Sequence, residues 1–212
     1  MEAGGTIPGA IRPSRSIRAV VLAAGAGRRF GGGKLLAALE DRPVLQHVLD
    51  GLAAAGIDDP IVVVGRDAAA LRAAIRWREA SIVTNPEPEL GLASSLRAGW
   101  NAALETGAEA VLVVLADQPR LSPAVVGLLL QVGLDAARPI VAPRYAEGGG
   151  RNPVRIDASA DALVRSLLGD RGLGPLIAAR PDLVRSIDVP GSNPDVDRPE
   201  DLRAIARRGD PA

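Results

Sequence analysis

The strongest constraint on the fold is the alternation of short apolar strands with longer helical segments along the 212 residues. The predicted strands at 17–22, 61–64 and 111–115 contain runs of four or more consecutive apolar residues (19–22, 61–64 and 111–115), so both faces of each strand are expected to be buried. Strands that are buried on both faces form a mostly parallel sheet with helices on each side. The pattern therefore predicts an α/β protein, a Rossmann-like three-layer αβα sandwich.

The pattern changes after residue 142, where a glycine-rich loop at residues 147–152 precedes a strand at 153–156. We expect the C-terminal third to add an antiparallel strand to the sheet. Asp67 and Ser122 are predicted to cap the helices that follow them. The other predicted elements are strands at 81–84, 140–142 and 184–189 and helices at 43–55, 67–78, 92–105, 123–134, 160–168, 175–179 and from Pro199 onward.

Composition excludes several classes of protein. The chain has no cysteine and one histidine, His47, which excludes disulfide scaffolds, thiol catalysis and multi-histidine metal sites. Basic and acidic residues number 25 each, and aromatic residues are scarce, which argues against nucleic-acid binding. We expect His47 at the surface, and we expect Trp77 and Trp100 to pack in the interior rather than to stack on a ligand.

The length of the chain favours one domain, residues 17–208, after a flexible leader at residues 1–16. The longest apolar runs have six to eight residues, whereas a membrane span needs roughly 20. The leader contains glycine, proline and arginine instead of the apolar segment of a secretory signal. The sequence therefore predicts a cytoplasmic protein that does not bind membranes.

A glycine-rich segment follows the first predicted strand, where ligands bind in sheets of this kind. Residues 22–34 read Leu-Ala-Ala-Gly-Ala-Gly-Arg-Arg-Phe-Gly-Gly-Gly-Lys, and glycines let backbone N–H groups approach a ligand closely. With the cations Arg28 and Lys34, these donors suit a polyphosphate; a flexible turn with solvated charges is the alternative. Arg28 and Leu35 exclude a Walker A loop, and Phe30 excludes the dinucleotide fingerprint, because they replace required residues of those motifs.

A carboxylate follows the apolar strand 111–115, in the sequence Ala-Asp-Gln-Pro at residues 116–119. A buried strand holds the side chain at its end with little freedom, so Asp117 is placed to bind Mg²⁺, a cation that proteins usually hold with one or two carboxylates plus phosphates. The alternative is an aspartate that only shapes the turn before Pro119.

The glycine-rich segment and the Asp117 strand end together resemble the MobA-like nucleotidyltransferases, in particular their molybdenum-cofactor cytidylyltransferase branch. The resemblance covers residues 17–208 and implies a sheet of the nucleotide-diphospho-sugar transferase type, with a loop that wraps the triphosphate of an NTP. Guanylyl-transferring relatives tend to have Leu-Ala-Gly-Gly, so the sequence here favours cytidine. The resemblance implies phosphate contacts for Gly25, Gly27, Arg28 and Lys34, and places near the base for Ala23 and Ala24.

The same resemblance implies a metal site. It places Mg²⁺ on Asp117, and it matches residues 195–202 with a family segment Asp-x-Asp-Thr-Pro-Glu-Asp-Leu, in which Arg198 replaces the usual threonine. Asp197 is the second metal candidate. The two acidic residues that follow, Glu200 and Asp201, are expected to serve the first turn of the last helix, where carboxylates favour the helix dipole.

Three further side chains are implied to contact the base and ribose: Asn85, Ser94 and Ser95. Either serine could instead cap a helix. For the acceptor, the resemblance implies Arg151, Asn152 and Arg171, although loop arginines are often only solvated. Here the sequence departs from the family, since asparagine replaces the histidine of a Gly-His-Pro-Val element, and Leu173 and Gly174 replace the alanine and arginine of a Gly-Asp-x-Gly-Ala-Arg element.

The resemblance implies a nucleotidyl transfer from an NTP, with CTP favoured, to a phosphorylated acceptor, with molybdopterin preferred and diphosphate released. Arg28, Lys34 and Asp117 would act in catalysis, and a molybdenum enzyme or its chaperone is an implied partner. Three alternatives stay open. They are an NAD(P)H-dependent oxidoreductase of the nicotine blue oxidoreductase type, a nucleotide-binding chaperone without chemistry, and a transferase with another phospho-acceptor.

Overall fold

The computed structural model describes residues 16–207, so most of the predicted leader lies outside the described residues. Seven strands form one sheet in the order β5-β4-β1-β6-β8-β7-β9, and β8 runs antiparallel to its neighbours β6 and β7. The three-layer prediction and the antiparallel addition are thus confirmed. The strands are β1 (Ile17–Ala23), β2 (Ala38–Leu39), β3 (Arg42–Pro43), β4 (Ile61–Val64), β5 (Ser81–Thr84), β6 (Ala110–Leu115), β7 (Ile140–Tyr145), β8 (Val154–Asp157) and β9 (Val184–Val189).

Helices cover both faces of the sheet because successive strand residues point to opposite sides. Val21 of β1 lies in a core with α1, α2, α4 and α7, whereas Val20 and Leu22 lie in a second core with α3, α5 and α6. The helices are α1 (Val44–Ala54), α2 (Ala68–Ala74), α3 (Leu92–Glu105), α4 (Pro123–Gln131), α5 (Asp161–Arg165), α6 (Gly174–Ala179) and α7 (Pro199–Arg207).

Helix α3 packs unusually close to the sheet at Gly99. A Cβ atom at this position would lie 2.3 Å from Cγ1 of Val20 and 2.8 Å from Cγ2 of Val63. The next residue, Trp100, is fully buried and donates its indole N–H to Oδ1 of Asp161 at 2.9 Å, which confirms its packing role. This close contact fixes the start of α3 at the C-terminal edge of the sheet.

A short hairpin, β2–β3, is an element that the sequence pattern did not predict. Its turn residues, Glu40 and Asp41, have φ of 48° and 63°, as a two-residue hairpin turn requires. His47 in α1 packs under this hairpin and donates from Nε2 to the Leu39 carbonyl at 2.7 Å. His47 is 7% exposed, so the prediction of a surface histidine is wrong.

The helix boundaries differ in places from the predicted ones. Ser122 caps α4 as expected, since its Oγ accepts from the Val125 N–H at 3.4 Å. Asp67 precedes α2, but its side chain makes no capping hydrogen bond, so that prediction is wrong. Helix α2 is also shorter than predicted and ends at Ala74. None of the helices in residues 16–207 is long and apolar enough to cross a membrane.

Arg155 in the middle of β8 is fully buried at the edge of the sheet opposite the glycine-rich loop. Its guanidinium donates to Oδ1 of Asp157 at 3.0 Å and to the Leu129 carbonyl at 3.2 Å, and it also contacts the carbonyls of Val132 and Gly133. These carbonyls lie at the C-terminal end of α4, where carbonyl groups have no N–H donor within the helix. Arg155 therefore joins the sheet to this helix.

Candidate functional site

The glycine-rich loop leaves β1 at the C-terminal edge of the sheet and forms two 3₁₀ turns, Arg28–Phe30 and Lys34–Leu36. Within residues 16–207, the backbone N–H groups of residues 25–27 donate no hydrogen bond, so they are available to an anion. The backbone path needs glycine, because a side chain at positive φ is strained. The glycines at positive φ are Gly27 (55°), Gly31 (90°), Gly32 (95°) and Gly33 (66°).

The loop faces a cavity of about 620 Å³, a volume that lies within the usual range of roughly 300–1,000 Å³ for small-molecule sites. The start of α3 and the segments after β4 and β5 complete its walls. Among the residues that line it are these site residues predicted from the sequence: Ala23, Ala24, Gly25, Gly27, Arg28, Lys34, Ser95 and Asp197. Its other charged lining residues are Arg29, Arg66, Asp67, Glu89 and Asp170.

Lys34 connects the loop to the acidic end of β6. Its Nζ lies 2.5 Å from Oδ2 of Asp117 and 3.6 Å from Oδ1 of Asp197. The Lys34 side chain is 12% exposed and that of Asp117 is 22% exposed, whereas Asp197 is more open at 46%. The loop and the two predicted carboxylates therefore lie together, as the parallel sheet predicts, and Lys34 contacts both carboxylates.

A hydrogen-bond network holds the second carboxylate beside the first. The Val196 N–H donates to the Asp117 carbonyl at 2.8 Å. Gln118, which is 1% exposed, donates to Oδ1 of Asp195 at 2.6 Å and accepts from Nδ2 of Asn193 at 3.0 Å. Asp201 in the first turn of α7 accepts from the backbone N–H of Asp197 at 2.8 Å. The segment that carries Asp197 is thus fixed from both sides.

A third carboxylate, Asp195, lies beside the pair. Desolvation by the groups packed around it raises the pKa of Asp195, and the negative charges of Asp117 and Asp197 raise it further. The Gln118 hydrogen bond and the Lys34 charge oppose this shift. Asp195 is therefore protonated more readily than an aspartate in water.

The donor set suits a hard divalent cation that also binds phosphates. Among residues 16–207, no group of three or more His, Asp or Glu side chains is arranged to hold a metal by itself. Asp117 and Asp197, however, converge on one ammonium group. Mg²⁺ is typically held by one or two carboxylates, with water and substrate phosphates as its other ligands. Asp197 and Lys34 line the cavity, and Asp117 lies behind them in contact with Lys34, so this pair of carboxylates beside the cavity fits such an ion.

The three side chains predicted to contact the base and ribose cluster at the start of α3. Asn85 donates from Nδ2 to Oγ of Ser94 at 2.8 Å and to Oγ of Ser95 at 3.0 Å, and its Oδ1 accepts from the Glu87 N–H at 3.0 Å. Ser94 donates in turn to the Gly91 carbonyl at 2.8 Å. Of the three, Ser95 lines the cavity, and the other two hold the loop around it.

Two of the predicted acceptor residues, Arg151 and Asn152, are not among the residues that line this cavity. Arg151 donates from Nε to the Pro143 carbonyl at 3.3 Å and also contacts Oγ of Ser186. The backbone of Arg171 lies in a 3₁₀ turn, Gly169–Arg171. Asn152 lines a second cavity of about 190 Å³, which shares Leu92 with the first. The other residues that line this second cavity are Leu22, Leu96, Val113, Leu115, Gly172, Leu173 and Gly174.

Two residues near the carboxylates were missed by the sequence analysis. Arg29 pairs with Oδ2 of Asp197 at 3.0 Å, although only the preceding arginine was singled out. The glycine-rich segment that resembles the family contains the order Arg-Phe-Gly, and in this chain the arginine before Phe30 is Arg29. This order was the sequence signal that pointed to Arg29. Gln118 was passed over because nothing in a sequence shows that its amide reaches Asp195, which lies 77 residues further along.

Comparisons with known proteins match the chain to a family of nucleotide-using enzymes. The family model for the MobA-like NTP transferase domain matches residues 19–184. Nicotine blue oxidoreductase from Paenarthrobacter nicotinovorans is 33% identical over 196 residues, which is 88% of this chain and 94% of that protein. Phosphoenolpyruvate guanylyltransferase from Sphaerobacter thermophilus is 30% identical over 171 residues, 77% of each chain.

Solved structures give the same result. The crystal structure of Rv0371c from Mycobacterium tuberculosis H37Rv has a TM-score of 0.78 at 33% identity, and the match covers 92% of this chain and 99% of that one. The same protein has been solved with manganese, with a TM-score of 0.74 and 30% identity over 92% of this chain and all of that one. The sheet thus has the nucleotide-diphospho-sugar transferase fold that the sequence predicted.

Proposed function

The chain belongs to the MobA-like NTP transferase family, and from that premise we propose that it moves a nucleoside monophosphate from CTP to a phosphorylated small molecule. The nucleotidyltransferase class follows from the family, and the nucleotide and acceptor are the proposed part. Molybdopterin is the acceptor that the sequence resemblance favours. The observation that carries the proposal is the contact of Lys34 with Asp117 at 2.5 Å, beside a cavity lined by the glycine-rich loop.

The reaction requires no covalent intermediate on the protein. An oxygen of the acceptor phosphate forms a new bond to the α-phosphorus of CTP. The bond from that phosphorus to the bridging β-phosphate oxygen breaks, and its electron pair leaves with diphosphate. Because no side chain has to react, catalysis would rest on positioning and on neutralising phosphate charge.

The loop would bind the triphosphate. Residues 25–27, whose N–H groups donate no hydrogen bond among the described residues, line the cavity together with Arg28. These N–H groups and the Arg28 guanidinium would together hold the oxygens of two adjacent phosphates. Lys34 would stabilise the charge that accumulates on the leaving diphosphate. For this, its ammonium has to exchange the carboxylates for phosphate oxygens.

Asp117 and Asp197 would hold a divalent cation, for which Mg²⁺ is proposed. When bound, such an ion neutralises phosphate oxygens and makes the α-phosphorus a better electrophile. Arg29 then has a supporting role that follows from its 3.0 Å contact with Asp197. It would orient the more exposed carboxylate of the pair toward the cavity.

The base and ribose would lie against β1 and the start of α3. Ala23 and Ala24 end the strand with small side chains, which leaves room for a base, and Ser95 adds a hydroxyl group on the opposite wall. Asn85 and Ser94 would act indirectly, by holding the segment that presents Ser95. The acceptor would approach from the side of Asn152, with Arg151 and Arg171 as further candidates for its phosphate.

A diphosphate-release panel tests the proposal. The full chain is incubated with each NTP and Mg²⁺, with and without molybdopterin. We expect diphosphate with CTP, and only when acceptor and divalent cation are both present. Release with GTP but not CTP would overturn the cytidine assignment, and a CTP reaction that molybdopterin does not stimulate would overturn the choice of acceptor.

The oxidoreductase alternative is favoured by one observation, the 33% identity with a protein named nicotine blue oxidoreductase. Against it stand the missing dinucleotide fingerprint at Phe30 and the carboxylate pair, for which hydride transfer has no use. A parallel assay with NAD(P)H and a reducible dye, without divalent cation, separates the two. Nicotinamide oxidation at a rate above that of diphosphate release would replace the transferase proposal.

A further inference from the structure

The second cavity, of about 190 Å³, has no assigned ligand, yet it opens beside the nucleotide cavity at Leu92. Leu22 and Leu115 form part of its floor and are register partners on β1 and β6. Leu22 directly precedes the nucleotide loop, and Leu115 lies two residues before Asp117. A molecule in this cavity would therefore lie next to the place proposed for phosphoryl chemistry.

The walls of the second cavity are almost entirely aliphatic. Six leucine and valine side chains and two glycines line it, and among its lining residues Asn152 has the one polar side chain. No charged side chain lines the cavity among the residues that the structure describes, so a charged group buried there would lose its hydration without gaining an ion partner from them, which is strongly unfavourable. The walls therefore select an uncharged group.

The volume limits the size of that group. A dry cavity of roughly 150 Å³ lined by leucine, isoleucine and phenylalanine side chains is known to bind benzene. At about 190 Å³, this cavity accommodates one six-membered ring with a small substituent, or a branched aliphatic group of equal size.

Asn152 gives the cavity a single polar feature in a fixed position. Its carbonyl accepts from the Tyr145 hydroxyl at 3.0 Å and from Nδ2 of Asn193 at 3.2 Å, which anchors its backbone. Its side-chain amide has no hydrogen-bond partner within residues 16–207, so it can donate to or accept from a ligand.

We propose that this cavity binds the uncharged, mostly apolar end of the phosphorylated acceptor, a group of about one ring that hydrogen-bonds to Asn152. The inference rests on the proposed nucleotidyl transfer but departs from it in the acceptor, because the fused, polar pterin of molybdopterin exceeds the single, mostly apolar ring that these walls accommodate. The acceptor phosphate then lies outside the cavity, toward Asp117, while the apolar group positions it.

Phenyl phosphate and glycerol 3-phosphate are suitable probes, because both carry a phosphate monoester but only one has a ring. Their affinities are measured by calorimetry on the full chain with CTP present and divalent cations removed, so that no turnover occurs. We expect phenyl phosphate to bind at least about tenfold more tightly, since its ring leaves water for the cavity. Equal affinities would overturn the inference.

Two glycine variants locate the binding. Gly174 lines the cavity, and a Cβ atom there would meet nothing within 4 Å, so Gly174→Leu adds a side chain into open space. Gly127 in α4 has equally open surroundings and lines neither cavity, so Gly127→Leu is the matched control. The tenfold preference should disappear in the first variant and persist in the second, with CTP affinity unchanged in both. A preference that survives Gly174→Leu would contradict the assignment.

A measurement on the unaltered protein keeps the test independent of variant folding. Phenyl ring protons should show nuclear Overhauser effects to the methyl groups of Leu96 and Leu173, and their absence with bound phenyl phosphate would place the ring elsewhere. The proposed function fails separately, because its failure is seen as absent CTP binding or as no diphosphate with any acceptor, whichever probe the cavity prefers.

Discussion

Lys34 joins the two sides of the candidate site, and it is the one lysine in the 212-residue sequence. Lysine carries a compact charge on a flexible stem, whereas arginine presents a planar fork. An ammonium group between Asp117 and Asp197 competes with a divalent cation for the same oxygens. The phosphates of a nucleotide compete with the carboxylates for that ammonium. Binding of nucleotide and of metal should therefore favour each other.

Replacing Lys34 with methionine tests this competition. Without the ammonium, the two carboxylates are left to the metal, so Lys34→Met should bind Mn²⁺ several-fold more tightly than the unaltered protein when no nucleotide is present. Its CTP affinity should fall, because the loop loses a cation. Electron paramagnetic resonance measures free Mn²⁺, and calorimetry measures CTP binding. Arg165→Met, which breaks an exposed pair with Asp161 far from the site, should change neither, and unaltered Mn²⁺ affinity in Lys34→Met would refute the competition.

Asp117 is the residue whose loss should be most costly for turnover. Asp117→Asn keeps the shape of the side chain but removes the charge that contacts Lys34 and would hold the metal. We expect diphosphate release from CTP to slow on the order of 10²-fold or more, the scale of losing one preorganised electrostatic group. Asp182→Asn, at an exposed carboxylate paired with Arg180, should keep full activity. A variant at Asp117 that turned over at the normal rate would exclude this carboxylate from catalysis.

At the scale of elements, α3 and α4 offer opposite responses to the same substitution. Gly99→Ala brings a Cβ atom within 2.3 Å of the Val20 side chain, and overpacking of this kind typically costs about 1–3 kcal/mol. Gly127→Ala meets nothing within 4 Å, so it should stabilise α4 by about 0.5–1 kcal/mol through helix propensity. Urea unfolding of both variants measures whether each substitution lowers or raises the free energy of unfolding. Stabilisation by Gly99→Ala would show that α3 does not pack this closely.

The Arg155–Asp157 pair joins β8 to the end of α4, and its loss should be felt by the whole fold. Arg155→Met leaves a buried carboxylate and several helix-end carbonyls without their cation, which typically costs about 3–5 kcal/mol. Burial already raises the pKa of Asp157, against the Asp135 N–H bond and the Arg155 charge that lower it. Without Arg155 that pKa rises further, so the unfolding free energy of the variant should fall as pH rises from the unfolded-state pKa through the folded one. Denaturant unfolding at pH 5 and pH 8 measures the free energy of unfolding of the variant and of the unaltered protein. A destabilisation of equal size at both pH values would contradict the prediction.

Most elements could be predicted because their signal is local. A continuous apolar run places β4, and valine, isoleucine and threonine residues place β5 and β9, at the residues where the structure has them. The hairpin β2–β3 could not be predicted, because its strands have two residues each and carry no periodicity. His47 was misplaced for the same reason, since the hairpin is what buries it. Arg155 also gave no signal, because a charged residue in a short strand normally indicates an exposed face.

The candidate site extends over the whole molecule, and its predictable part follows from sheet topology. Parallel pairing of β1 with β6 brings the residues after each strand to one edge, which is why Asp117 could be expected beside the loop. The links that complete the site join distant segments, and side-chain reach decides them. Lys34 and Asp117 are 83 residues apart, and Arg29 and Asp197 are 168 apart. No local pattern encodes such pairings, so the contact of Gln118 with Asp195 emerges only in the folded chain, and for Arg29 the motif order points to the residue but not to its partner Asp197.

Because the site exists only when these distant segments are folded together, its ligands should stabilise the entire chain. A ligand that binds the folded state at about 100 times its Kd adds roughly 2.7 kcal/mol to the unfolding free energy. The phosphates of CTP attract the Lys34 ammonium, and Mn²⁺ binds the oxygens of Asp117 and Asp197. Each ligand thus weakens the ion pairs that oppose binding of the other, so together they should raise Tm by more than the sum of their separate shifts. Thermal unfolding monitored by circular dichroism measures Tm without ligand, with CTP, with Mn²⁺ and with both. In Asp117→Asn the excess should vanish, while purely additive shifts in the unaltered protein would show that the two ligands bind without sharing Lys34.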